Sequence, residues 1–185
     1  MYKWLPTDLP DSIPRYAHTK LGVSAIVINK QNKLLVVHQT RSDGSPRVRV
    51  NFPGGYVERN EDLTTAAIRE VKEETGIQTV FNSLITFRHT HFANFNSSDL
   101  DFVVSLEPAV DDENYNEECD EVEKVEWMNI DDFLNSPEVS EFNKRFLSMY
   151  LYYKRENLTI VKEETYTGRP SSMYFAMKKS DSILS

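Results

Sequence analysis

The segment from Gly55 to Ile77, GYVERNEDLTTAAIREVKEETGI, constrains this chain more than any other. A glycine is followed six positions on by Glu61, then by Arg69-Glu70-Val71, Glu73-Glu74 and Gly76-Ile77. Asp62 to Thr75 has helical periodicity, and Gly76 stands where a helix stops. At 100° per residue, Glu70, Glu73 and Glu74 fall within an arc of about 100°. Thr64, Ile68 and Val71 point away from that arc and form an expected core face. Ala66 and Ala67 flank the arc and are small enough for another segment to come close. The pattern therefore predicts a helix with one packed side and one carboxylate side. Like charges at these spacings repel by a few tenths of a kcal/mol per pair, ~0.2–0.5. A cation held among them reverses the sign.

The approach to the helix, Asn51-Phe52-Pro53-Gly54-Gly55, reads as a strand end turning through two glycines. Glycines allow a carbonyl to come close to a ligand or metal. Hard cations such as magnesium take oxygen ligands at about 2.1 Å, usually a few carboxylates, substrate phosphates and waters. Arg69 lies beside Glu73 and can orient a carboxylate with its planar fork. A charge cluster on a helix is ordinarily a solvated face. Here the glycine turn, the spacing and the arginine together favour a site.

These positions together resemble the Nudix box, with every defining position filled across 23 residues. The wider resemblance covers residues 20–155. It implies an α/β/α sandwich with a mixed β-sheet. It also implies hydrolysis of a nucleoside diphosphate linked to another moiety, with Mg2+ or Mn2+. Carried over by position, Glu70 and Glu74 are the main metal ligands, Glu73 is a further ligand, and the Gly54 carbonyl joins from the loop. Arg69 orients Glu73, Glu61 braces the junction between loop and helix, and Gly55 and Gly76 are structural positions of the motif. Beyond the box, Phe87-Arg88-His89-Thr90-His91, Ser98-Asp99-Leu100 and Pro170-Ser171-Ser172-Met173-Tyr174 are similar to one branch of the family. That branch includes plant Nudix hydrolases that cleave ADP-ribose and NADH, and an animal Nudix protein encoded antisense to a fibroblast growth factor. Trp4-Leu5-Pro6 is similar to a linker that precedes the Nudix domain in those proteins. They carry an additional N-terminal domain that this sequence lacks, which leaves dimer contacts through it in doubt. A proline expected of the ADP-ribose subfamily is replaced by Phe92 and Ala93, and the NADH pyrophosphatase motif is absent. The lean toward ADP-ribose or NADH is therefore what the branch resemblance alone implies. Dinucleoside polyphosphates, nucleoside triphosphates and a catalytically idle binding module are the alternatives.

Other candidates surround the box. Arg41, Arg47 and Arg49 precede the glycine turn and could clamp a phosphate, or be surface charges. Strand alternation puts Arg47 and Arg49 on one side. Arg88 could line the substrate pocket. His89 and His91, which follow it, lack cysteine partners and make a weak zinc motif. A base that activates water is sought in the acidic segment, with Glu121 ahead of Trp127 ranked before Glu118 and Glu117, while Glu70 could serve as both ligand and base.

Composition narrows the setting. The formal net charge of −8 is matched by residues 111–126, which hold nine acidic groups and only Lys124. No basic footprint for long nucleic acids is left. No apolar run spans a bilayer, which needs about 18 residues. The proline-containing N-terminus has no secretory core. One cysteine, Cys119, points to a reducing compartment, the cytoplasm or nucleus. A small nucleotide is the expected partner, and a homodimer is left open. The chain divides into a proline-rich lead (1–19), the main domain (20–155) and a weakly patterned extension (156–185).

The expected elements are a hairpin of strands Leu21–Ile28 and Leu34–His38, then a strand at 48–52. The helix follows, then strands at 79–89, 100–106 and 122–128. A short helix begins at 129–132. A longer helix over 138–155 carries an apolar stripe of Phe142, Phe146, Met149 and Tyr153. Met173-Tyr174-Phe175 forms a short strand or plug.

Overall fold

A computed structural model of the chain describes residues 19–40, 48–91, 97–110, 122–166 and 170–178. Two small sheets share one layer. Strands β1 (Thr19–Val27), β4 (Gly54–Tyr56), β5 (Thr79–Thr90) and β6 (Ser98–Pro108) form the first, in the order β4-β1-β6-β5. It is mixed: β1 runs parallel to β6, and the β1–β4 and β5–β6 pairs are antiparallel. The second sheet has the order β3-β2-β7, from β2 (Lys33–Thr40), β3 (Val48–Asn51) and β7 (Lys124–Asn129), all antiparallel.

Alternation along the strands gives each sheet two apolar faces, and helices cover both. Val23, Ala25 and Val27 of β1 and Leu35 and Val37 of β2 pack with Ala66, Ala67 and Val71 of α1 (Leu63–Thr75). The other face sends Ile26, Val36, Val50 and Val103 against α2 (Ile130–Asn135) and α3 (Glu141–Arg155). Phe52 stacks on Phe133 of α2 with centroids 5.1 Å apart. The layers are thus helix, sheet, helix, the expected α/β/α sandwich. Burying a side chain of this size contributes about 1.5–3 kcal/mol, so these two faces dominate the fold.

Helix α1 begins where sequence suggests. Asp62 caps it by accepting from the Thr64 N–H at 2.9 Å. Gly76 ends it in the left-handed region at φ 75°, and its N–H donates to the Lys72 carbonyl.

Four expectations need correction. The anticipated hairpin closes its turn, with the Asn29 N–H on the Lys33 carbonyl at 3.0 Å, but β1 and β2 then diverge into different sheets. β1 pairs instead with β6, and β2 with β7. Second, Gly54-Gly55 is strand rather than turn, paired with Val23 and Ser24. Third, Phe142 leaves the apolar stripe of α3: it is 56% exposed and lies over the Arg88 guanidinium at 4.9 Å. The buried residues of that helix are Phe146 and Leu147. Fourth, the weakly patterned extension carries two antiparallel strands, β8 (Leu158–Tyr166) and β9 (Pro170–Lys178), and the short strand expected at Met173-Tyr174-Phe175 lies within β9. Ile160 and Tyr174 pack the pair against the α1-side core.

Candidate functional site

The site is built where α1 passes beneath the edge strand β4. A side chain at Gly54 would strike the Val23 carbonyl and stand 2.9 Å from the Ser24 Cα. A Cβ at Gly55 would stand 2.5 Å from the Glu70 carboxyl carbon. Two glycines are required because β4 is clasped between β1 and a carboxylate.

Arg69 organises the cluster. Its Nε and Nη2 grip Glu61 as a fork, each bond 2.8 Å. Its Nη1 donates to Glu70 Oε1 at 2.8 Å and Glu73 Oε2 at 2.9 Å, and Nη2 donates also to the Tyr56 carbonyl at 3.1 Å. These bonds use all five guanidinium N–H groups, which no lysine could do. The Glu61 pair, opposed by burial, raises the Arg69 pKa further above its ordinary value. The same guanidinium, again working against burial, holds the Glu61 carboxyl below its ordinary 4.5, helped by the Glu58 N–H on Glu61 Oε2.

Helical periodicity puts the three other glutamates together on one carboxylate side. The structure separates them. Glu73 is exposed, the Glu70 side chain is 15% exposed, and Glu74 is buried at 4%. Glu74 accepts from the Gly54 N–H at 2.8 Å and from Gln39 Nε2 at 3.1 Å. The reason is tertiary: β4 and the β2–β3 pair close over the last turn of α1. Gln39 was not anticipated. Its one signal is its place near the end of the β2 run.

Arg49 is exposed on β3, opposite Gln39. Directly paired residues share a face, so Arg49, Gln39 and Asn51 line the side on which Glu74 lies. Arg88 lies on the other face of the first sheet. Its Nη2 donates to Asp101 at 2.6 Å, and Phe142 and Phe146 stand against it. His89 and His91 share a side as expected, with ring centroids 4.1 Å apart. Arg41, Arg47, Glu117, Glu118 and Glu121 lie outside the described residues.

The description NUDIX domain matches residues 18–150. That span holds the glycine strand, the capped helix and the arginine-centred carboxylates. The chain belongs to the Nudix family. It is 37% identical over 139 residues to Nudix hydrolase 2 of Arabidopsis thaliana, covering 75% of this chain and 49% of that protein. It is 32% identical over 180 residues to the human nucleoside diphosphate-linked moiety X motif 6, covering 92% and 55%. The chain thus spans about half the length of these curated relatives. Among solved structures, a NUDIX hydrolase from Nitrosomonas europaea superposes with a TM-score of 0.62 at 22% identity, covering 74% of this chain and 90% of that one.

Nudix hydrolases generally use divalent cations. Among the described residues, no three His, Cys, Asp or Glu side chains converge as a metal cage. A hard cation needs no such cage, since one or two carboxylates with substrate phosphates and waters suffice. The donors gathered at β4 are oxygens, with Glu70 against Gly55 and Glu74 against Gly54. Their chemistry fits a hard divalent cation. None of the helices among the described residues is long and apolar enough to cross a membrane.

Proposed function

We propose that this Nudix domain hydrolyses the diphosphate linkage of a nucleoside diphosphate derivative, ADP-ribose or NADH foremost, with Mg2+ or Mn2+. The observation that carries the reading is the complete box folded around one strand edge, with Glu70 and Glu74 reaching β4 from a single helix turn. Glu70, Glu74 and the Gly54 carbonyl would hold the cation, and Glu73 would join from the exposed side. When bound, the cation neutralises charge developing on phosphate oxygens and acidifies water. Arg69 fixes the Glu70 and Glu73 carboxylates while Glu61 fixes Arg69. Arg49, on the Glu74 side of the second sheet, is proposed to meet a phosphate, and Arg41 and Arg47 are proposed for the same role. Glu121 is proposed to take the proton from water, with Glu70 as its competitor. Arg88 is proposed to bind substrate through the Phe142 face, its charge shared with Asp101. The names of the relatives support a nucleoside diphosphate substrate, and the branch motifs support the lean toward ADP-ribose or NADH.

Purified protein is offered ADP-ribose, NADH, diadenosine polyphosphates and nucleoside triphosphates with Mg2+ or Mn2+, and the products are separated by chromatography. Release of AMP from ADP-ribose or NADH is expected. Turnover of a polyphosphate or triphosphate instead moves the substrate assignment. Metal-dependent nucleotide binding with no turnover of any compound identifies a binding module.

A further inference from the structure

A row of side-chain amides crosses the molecule and ends on Glu74. Asn143 Nδ2, in the first turn of α3, donates to Asn51 Oδ1 at 3.3 Å. Asn51 Nδ2, at the end of β3, donates to Gln39 Oε1 at 3.1 Å. Gln39 Nε2, near the end of β2, donates to Glu74 Oε1 at 3.1 Å. Four elements from both sides of the sheet layer thus meet through three consecutive bonds.

The direction of the row is set from one end. An ionised carboxylate only accepts, so Gln39 must turn its NH2 toward Glu74. Its carbonyl oxygen then faces Asn51, which must donate, and the Asn51 oxygen in turn faces Asn143, which must donate. Aligned bonds of this kind polarise one another. The second oxygen of Glu74 takes the Gly54 N–H, so the carboxylate is fixed at both oxygens while 4% exposed.

We propose that Gln39, Asn51 and Asn143 are positioning residues that set the Glu74 carboxylate for the divalent cation, with Asn51 as the joint between the α3 side and the α1 side. This rests on the reading that Glu74 helps to hold that cation. Partners behind a metal ligand orient it, and losing one weakens metal binding or activity by about 10–100-fold. The row also gives α3 a direct mechanical link to the site.

Isosteric reversal tests the row. Asn51→Asp keeps size and still accepts from Asn143, but it offers Gln39 no donor. Gln39 then either faces a carboxylate with its carbonyl or turns that carbonyl toward Glu74. Mn2+ affinity is measured by the paramagnetic resonance of the free ion, with no nucleotide present. Melting temperature without metal is measured alongside. Asn51→Asp is expected to weaken Mn2+ binding by ~10-fold or more. The nucleotide KM at saturating Mn2+ should stay at the wild-type value. Asn143→Asp breaks only the outermost bond and is expected to weaken Mn2+ binding less, in the same direction. Wild-type Mn2+ affinity in Asn51→Asp overturns the proposal, including when the melting temperature falls, because the row is then structural alone. Should Asn51→Asp not fold, Asn143→Asp decides: weakened Mn2+ binding supports the row and unchanged binding overturns it. A wild-type protein that binds no Mn2+ and turns over no substrate sinks the functional reading itself, an outcome visible before any variant is made.

Discussion

At the residue scale, Arg69 and Glu74 show how burial changes what a box position does. Arg69 spends every N–H within the cluster, so its charge organises carboxylates rather than meeting solvent. Glu74 carries a carboxylate into a nearly closed environment, where the Gly54 N–H and the Gln39 amide satisfy it. Glu74→Gln retains the volume but turns an NH2 toward one of two donors. We expect it to lower stability by about 1–3 kcal/mol, the scale of an unsatisfied buried donor. Turnover should fall by at least ~10²-fold, the scale of losing one preorganised electrostatic contact. Denaturant unfolding and kcat measured on the same preparation check both. Wild-type activity in a folded Glu74→Gln protein would remove Glu74 from the site. Glu61 gives a pH prediction. Arg69 lowers its folded pKa below the unfolded 4.5, so the pair stabilises fully above 4.5. That contribution declines as pH falls through the lower folded value. The stability gap between wild type and Glu61→Gln should therefore be constant from neutrality to about pH 5 and shrink in more acid solution. A gap that widens on acidification contradicts the pairing.

At the element scale, α1 is held at both ends by contacts that its own sequence only half describes. Asp62 caps the helix, and Lys162 of β8 donates to Asp62 at 2.9 Å and to the Thr64 hydroxyl at 3.2 Å. The C-terminal hairpin thereby tightens the start of the carboxylate helix from a hundred residues away in sequence. Lys162→Met keeps the aliphatic stem and removes these bonds. A loss of about 1 kcal/mol is expected, the usual net value of such a bond. In a domain of this size that is a fall in melting temperature of about 2–4 °C by calorimetry. An unchanged melting temperature would show that the hairpin adds nothing to the cap. β8 escaped sequence reading because Leu158-Thr159-Ile160-Val161 follows closely on a long helix, and of its partner β9 only Met173-Tyr174-Phe175 was legible as strand.

At the scale of the whole molecule, the three sheets and three helices of the described residues place one helix turn under one strand edge, and the order of elements follows from local pattern. Apolar and β-branched runs mark β1, β2, β5 and β6, alternation of Val125 and Trp127 with charged residues marks β7, and the apolar periods of α1 and α3 mark the helices. The box glycines and glutamates fix their own spacing, so the carboxylate cluster was legible in the chain itself, and the α/β/α class came with the family resemblance that this spacing carries. Local pattern depends on near neighbours, and near neighbours are what a sequence displays. Three facts were decided only by tertiary structure: β1 and β2 part company after a shared turn, Glu74 is buried while Glu73 is open, and Asn143, Gln39 and Asn51 meet in a row. Each depends on which distant strand or helix covers a given face, through hydrogen bonds between residues 12 to 92 positions apart. Helical periodicity says which side chains point the same way. What they point at is set by the packing of the whole chain.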